Sequence, residues 1–133
     1  MNERGEMISE LKKKVIPILK ESGFKGSFPN FRRVSRDTLN LITFQFDKWG
    51  GGFCIEIANG NPQGFTYGGE FIETKNIRPY HLVNRIRLGA TDANEDYWFR
   101  YDNNNNNYSL TSEDVLNKLP VAEEWFIHNA III

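Results

Sequence analysis

Between Glu6 and Ser22 apolar residues recur every three or four positions, and Ile8, Leu11, Val15, Ile18 and Leu19 fall on one side. That spacing predicts an amphipathic helix. Glu10 stands four residues ahead of Lys14 on its wet side, the arrangement of a helical ion pair. Gly23 offers the left-handed residue on which helices end. Pro17 lies inside the pattern without an amide hydrogen and predicts a bend.

Beyond Phe24 the period changes to two. Leu39–Phe46 (LNLITFQF) and Phe53–Ala58 (FCIEIA) alternate β-branched and aromatic residues with other types, as strands do. The glycines of the intervening KWGGG suit a hairpin loop, so these strands are expected to be antiparallel neighbours. SFPNFRRV predicts a short strand that Pro29 confines to an edge. HLVNRIRL and DYWFRY predict two further strands joined by the polar GATDANE. Asn59–Gly69, with four Gly and a Pro, reads as a long loop, and the asparagine run Asn103–Asn107 as an exposed one. Thr111 is the expected N-cap of a last helix, with Glu113 and Asp114 in its first turn. Val115, Leu116, Leu119, Ala122 and Phe126 line that helix's buried side, and Pro120 kinks it or starts a second piece.

The order helix, strands, helix predicts an α+β fold: an antiparallel sheet of about five strands with the N- and C-terminal helices packed on one face. With neither a repeat nor a linker, residues 1–133 are expected to form a single domain. Strand alternation places Ile42, Phe44, Phe46, Phe53, Ile55 and Ile57 on the apolar face, with Leu82, Ile86, Leu88, Tyr97, Phe99 and Tyr101 on the same side. Thr43, Gln45, Cys54, Glu56, Arg85, Arg87, Trp98 and Arg100 then face the other way. Leu39 and Leu41 break the pattern, because their parity puts them among the polar set.

The segments IPILKESGFKG, NFRRV and LNLITFQFDKWGGGFCIEIANG, followed by RIRLG, DYWFRY and VLNKLPVAEEWF, resemble the uncharacterised bacterial domain of unknown function 4304 family in their order. The Gly-rich Asn59–Gly69 segment and the asparagine run depart from the family pattern. The resemblance implies the fold and a bacterial protein, and it brings no catalytic residues with it.

Charge changes the picture by exclusion. Sixteen basic residues against seventeen acidic ones leave a net charge of −1, and an electrostatic grip on nucleic acid or on an anionic membrane normally needs a basic excess. The single cysteine cannot form an internal disulfide, and the first residues lack a signal-peptide pattern. Both point to a cytoplasmic protein. The longest apolar run, the terminal AIII, is too short to span a bilayer.

Candidate chemistry is sparse. His81, His128 and Cys54 lie on different predicted elements, without the spacing of a zinc site, and no metal or cofactor is expected to be needed for folding. Cys54 is placed mid-strand, where a thiol acts as a small hydrophobe. The Gly50–Gly52 cluster joins two strands, whereas phosphate loops lead from a strand into a helix. Glu56, Glu70, Glu73, Asp92, Glu95 and Asp96 form no visible pair, and solvated acids are their ordinary state. Arg32, Arg33, Arg36, Arg78, Arg85, Arg87 and Arg100, interleaved with Phe31, Tyr80, Trp98 and Tyr101, have the residue types of a single-strand nucleic-acid surface. The neutral charge balance makes that the lesser reading.

The expected working surface is the polar sheet face: Trp98, Arg85, Arg87 and Arg100, with Glu56 and Gln45. Trp and Arg concentrate at recognition sites, and an Arg plane is expected to lie on the Trp98 indole. The ordinary alternative is a solvated outer face, common in antiparallel sheets. The leading expectation is a non-catalytic module that binds another protein, one form being an immunity-type protein that neutralises a toxin. The alternative is an enzyme or small-ligand binder with a pocket between the sheet and the 59–69 loop. A flat aromatic–arginine surface favours the first, and a deep pocket with converging ionisable groups favours the second.

Overall fold

The computed structural model describes residues 2–130. The chain begins with α1 (Glu3–Lys14) and α2 (Ile16–Glu21). The Asn2 side chain caps α1 by accepting from the Gly5 N–H at 2.7 Å, while Glu3 and Glu6 in the first turn and Lys12 to Lys14 in the last complement the helix dipole. The single helix expected over 6–22 is therefore two pieces. Pro17 would clash with the preceding turn, so α1 stops at Lys14 and the proline takes the second position of α2, where no intrahelical amide is needed. The buried side is Met7, Leu11, Val15, Ile16 and Leu19, and Ile18 is exposed.

Strands β1 (Lys25–Ser27), β2 (Asn30–Val34), β3 (Leu39–Phe46) and β4 (Gly52–Gly60) form an antiparallel meander. Pro29 sits in the β1–β2 turn rather than in an edge strand, so β2 is interior and β1 is the edge. The other edge of β4 is shared end to end. β7 (Arg85–Arg87) pairs with Glu56–Ala58, and β8 (Phe99–Arg100) pairs with Gly52–Phe53. Two strands dividing one edge must each be short, which explains why 81–88 and 96–101 are extended over only a few residues. The main sheet has six strands, with a separate hairpin of β5 (Phe65–Tyr67) and β6 (Glu70–Ile72) where a loop was expected.

The C-terminal helix α3 (Tyr108–His128) is capped by Asn107, whose side chain accepts from the Leu110 N–H at 3.0 Å. Thr111, the expected cap, lies one turn inside and is buried. The helix runs unbroken through Pro120. Asn105 and Asn106 adopt positive φ angles of 53° and 59°, a conformation asparagine tolerates better than most side chains. The asparagine run is thus a turn and a cap. No described helix is long and apolar enough to cross a membrane. Ile131 to Ile133 of the AIII run lie outside the described residues.

Helices α1, α2 and α3 bury their apolar sides on one sheet face. Met7, Leu11, Leu19, Val115 and Phe126 share a core with Phe44, Phe53, Ile55 and Phe99. Arg33 of β2 locks α3 onto this layer through paired 3.0 Å bonds to the Glu123 carboxylate, with its guanidinium over the Phe24 ring.

Leu39, Leu41 and Ala58 face the other way into a second core with Ile77 and Leu82, against which Phe65 and Ile72 pack. Leu82 therefore belongs to the opposite face from the one expected. It precedes β7, and the bend at Val83 and Asn84 between them breaks the parity that would have carried it. Gly60 leaves it room, since a Cβ there would stand 2.9 Å from a Leu82 methyl. The segment between β4 and β7 thus folds back over one end of the outer face.

Candidate functional site

The other end of that face remains open. Register pairs Thr43 with Glu56 and Gln45 with Cys54 across β3 and β4, and Glu56 with Arg87 across β4 and β7. Thr43, Gln45, Glu56 and Arg87 floor a cleft of about 570 Å³, whose walls are the 78–80 turn and the 93–96 loop. Residues 59–69 do not line it: Phe65 turns onto the second core instead.

Glu56 organises the floor. One carboxylate oxygen takes the Arg87 Nε–H at 2.8 Å and the other faces Arg85 Nη1 at 3.5 Å. Arg85 Nη1 also donates to the Pro79 carbonyl at 3.2 Å, tying one wall to the floor. Within that wall the Arg78 amide donates to His81 Nδ1 at 2.9 Å, and Arg78 Nη1 donates to the Lys75 and Ile77 carbonyls. Loss of hydration and the nearby Arg78 charge push the His81 pKa below its ordinary 6.5. On β2, Asn30 Oδ1 accepts from the Thr43 hydroxyl at 2.9 Å at the cleft margin.

Cys54 lies under this floor with no exposure. Burial raises its pKa above the ordinary 9.0, and the adjacent Arg87 guanidinium and Tyr97 amide oppose that only in part. It is placed as a packed thiol, as the strand position implies.

Of the expected surface residues, the structure brings Gln45, Glu56, Arg85 and Arg87 together. Trp98 is 38% exposed and Arg100 is half-buried; neither lines the cleft. Arg100 is drawn to the β3–β4 hairpin end, where it meets Asp102 at 2.8 Å and Asp47 at 3.5 Å. The Asp102 carboxyl is held below its ordinary value chiefly by that Arg100 hydrogen bond. No cation lies over the Trp98 indole among the described residues, so the expected arginine stack is absent there. The physical reason is that β8 pairs at the far end of β4, which moves Trp98 and Arg100 along the face from Arg85 and Arg87.

In the sequence Arg78 and Tyr80 belong with the interleaved arginines and aromatics and Glu95 and Asp96 with the scattered acids, whereas in the fold all four stand together as the cleft walls. No periodicity marks them, because they come from a 3₁₀ turn and a loop. Among the described residues no cluster of three or more His, Cys, Asp or Glu side chains is gathered to hold a metal.

A family model described as "Domain of unknown function (DUF4304)" matches residues 15–128. No curated protein and no solved structure matches the chain.

Proposed function

Since the chain belongs to that family, whose description names no activity, we propose from the cleft itself that this domain is a non-catalytic module binding a polar segment of another protein. The observation that carries the reading is the Arg85–Glu56–Arg87 floor. Both oxygens of Glu56 are engaged by arginines, which suits it to hold guanidinium groups in place rather than to move protons. An ordered arginine pair loses little side-chain entropy on binding. The exposed Tyr80 ring supplies apolar contact at the rim. Trp98 and Arg100 extend the same face beyond the 93–96 wall and widen the contact area. An immunity-type role, neutralising a toxin, is one form of this reading and rests on size and architecture.

The small-ligand alternative draws on one specific observation: the cleft volume falls within the range of small-molecule sites. Its pocket is the one between the 78–80 and 93–96 walls, not one under residues 59–69.

The test is affinity capture from native lysate with the wild type and with an Arg78→Ala/Arg85→Ala double variant of matched melting temperature. A partner held at least about tenfold more weakly by the variant supports the cleft as the recognition site. A partner retained equally by both overturns it.

A further inference from the structure

The charges of the cleft are sorted by wall. Arg78 and Arg85 stand at the end where β7 runs beside Ala58. Glu95 and Asp96 stand at the other end, on the loop that leads into β8 where Phe99 pairs with Phe53. Cys54 and Ala58 are four residues apart on β4, so the strand positions beside which the two walls stand are roughly 13 Å apart, and the Arg85 guanidinium reaches inward from its end to Glu56. Among the described residues neither Arg78, Glu95 nor Asp96 has an ion-pair partner, and Arg85 shares Glu56 with the closer Arg87. Between the ends the floor holds the mutually paired Glu56 and Arg87 and the neutral polar side chains of Thr43 and Gln45.

We infer that the cleft selects a mixed-charge peptide: an extended segment with a carboxylate over Arg78 and Arg85 and a basic group about three residues away against Glu95 and Asp96. Three residues of extended chain cover about 10 Å between Cα atoms, and two side chains close the remaining gap. Peptide amides and carbonyls passing between the ends meet Thr43 and Gln45. A purely acidic segment would gain at the arginines and be repelled at the opposite wall. A purely basic one would meet the reverse. The inference rests on the proposed role of the cleft as a recognition site and names what it recognises.

The test is an amide-resonance titration of the full chain with three end-blocked tetrapeptides. One carries lysine and glutamate at its ends, one glutamate at both and one lysine at both, with glycines between. The mixed peptide is expected to shift resonances of both walls, near residues 78–80 and 93–96, and to bind at least about tenfold more tightly than either single-charge peptide. A Glu95→Lys/Asp96→Lys variant is expected to turn the preference toward the acidic peptide. If the acidic peptide binds the wild type as well as the mixed one, or the variant leaves the order unchanged, the mixed-charge inference falls while the cleft remains a binding site. If none of the peptides shifts either wall, the inference falls together with the peptide-binding role of the cleft.

Discussion

The side-chain amide of Asn40 donates to the side-chain carbonyl of Asn59 at 2.7 Å, between two strands and beneath the end of α3. Asn59 in turn donates to the carbonyls of Phe126 and Asn129 at 3.0 and 2.9 Å. These carbonyls belong to the last turn and cap of α3, where intrahelical donors have run out. A buried asparagine on the sheet thus satisfies the C-terminus of the helix and fixes where α3 ends. Replacing Asn59 with Ala removes three bonds and strands the Phe126 carbonyl and the Asn40 amide, while the Asn129 carbonyl keeps its bond from Asn84, with an expected cost of about 3 kcal/mol in urea unfolding. The Asn40→Ala/Asn59→Ala pair is expected to cost less than the sum of the singles, because both act through one network.

Trp98 stands on the outer face, 38% exposed and away from the helix-side core. Trp98→Ala is expected to leave the melting temperature within a few degrees of the wild type and to weaken partner binding by about 2 kcal/mol. A large loss of stability would place the indole in the core. Unchanged binding would confine recognition to the cleft.

His81 links the 78–80 wall to acidity. Its Nδ1 accepts from the Arg78 amide and its ring packs near Tyr80 and Tyr67. The folded-state pKa lies below the ordinary 6.5, so the unfolded chain takes up the proton first. The stabilisation is full above about pH 6.5 and is lost as pH falls through the folded pKa. A proton titration of the imidazole by NMR is expected to give a midpoint below that of free histidine. His81→Gln is expected to flatten this part of the stability profile.

Cys54 has the opposite sign. Burial raises its pKa above 9.0, and the thiol loses its proton more readily in the unfolded chain. Its contribution is complete below about pH 9 and declines as pH rises through the folded value. The fall in urea midpoint from pH 8 to pH 10 is expected to be smaller in Cys54→Ala than in the wild type. Reaction of the native thiol with a disulfide reagent is expected to be slow and to track unfolding.

Gly89 sets the start of the acidic wall. It has φ of +103°, and a Cβ there would fall 2.6 Å from the Tyr97 ring. Both features favour glycine as the chain leaves β7 for the 90–96 segment. Gly89→Ala is expected to cost about 1–3 kcal/mol and to shift the amide resonances of residues 93–97 in a two-dimensional NMR spectrum. Resonances that stay in place would show that the ring yields without moving the wall.

The period-two alternation of Leu39–Phe46 and Phe53–Ala58 and the three- and four-residue spacing around Leu11 and Leu19 determined the strands, the helix-side core and the face that carries Glu56, Arg85 and Arg87. These are local patterns, since each side chain's direction follows from its neighbours in the chain. Even the misfit of Leu39 and Leu41 was legible as a misfit. Only the tertiary structure showed that the 61–82 segment covers them and so divides the outer face into a second core and an open cleft. The same holds for the sharing of the β4 edge by β7 and β8, which drew Trp98 and Arg100 away from Arg85 and Arg87. The walls with Arg78, Tyr80, Glu95 and Asp96 come from a turn and a loop whose positions depend on contacts far along the chain, such as the packing of Leu82 against Gly60 and of Tyr97 over Gly89. No repeat in the residues encodes such contacts, and only folding brings the two charged walls to face each other.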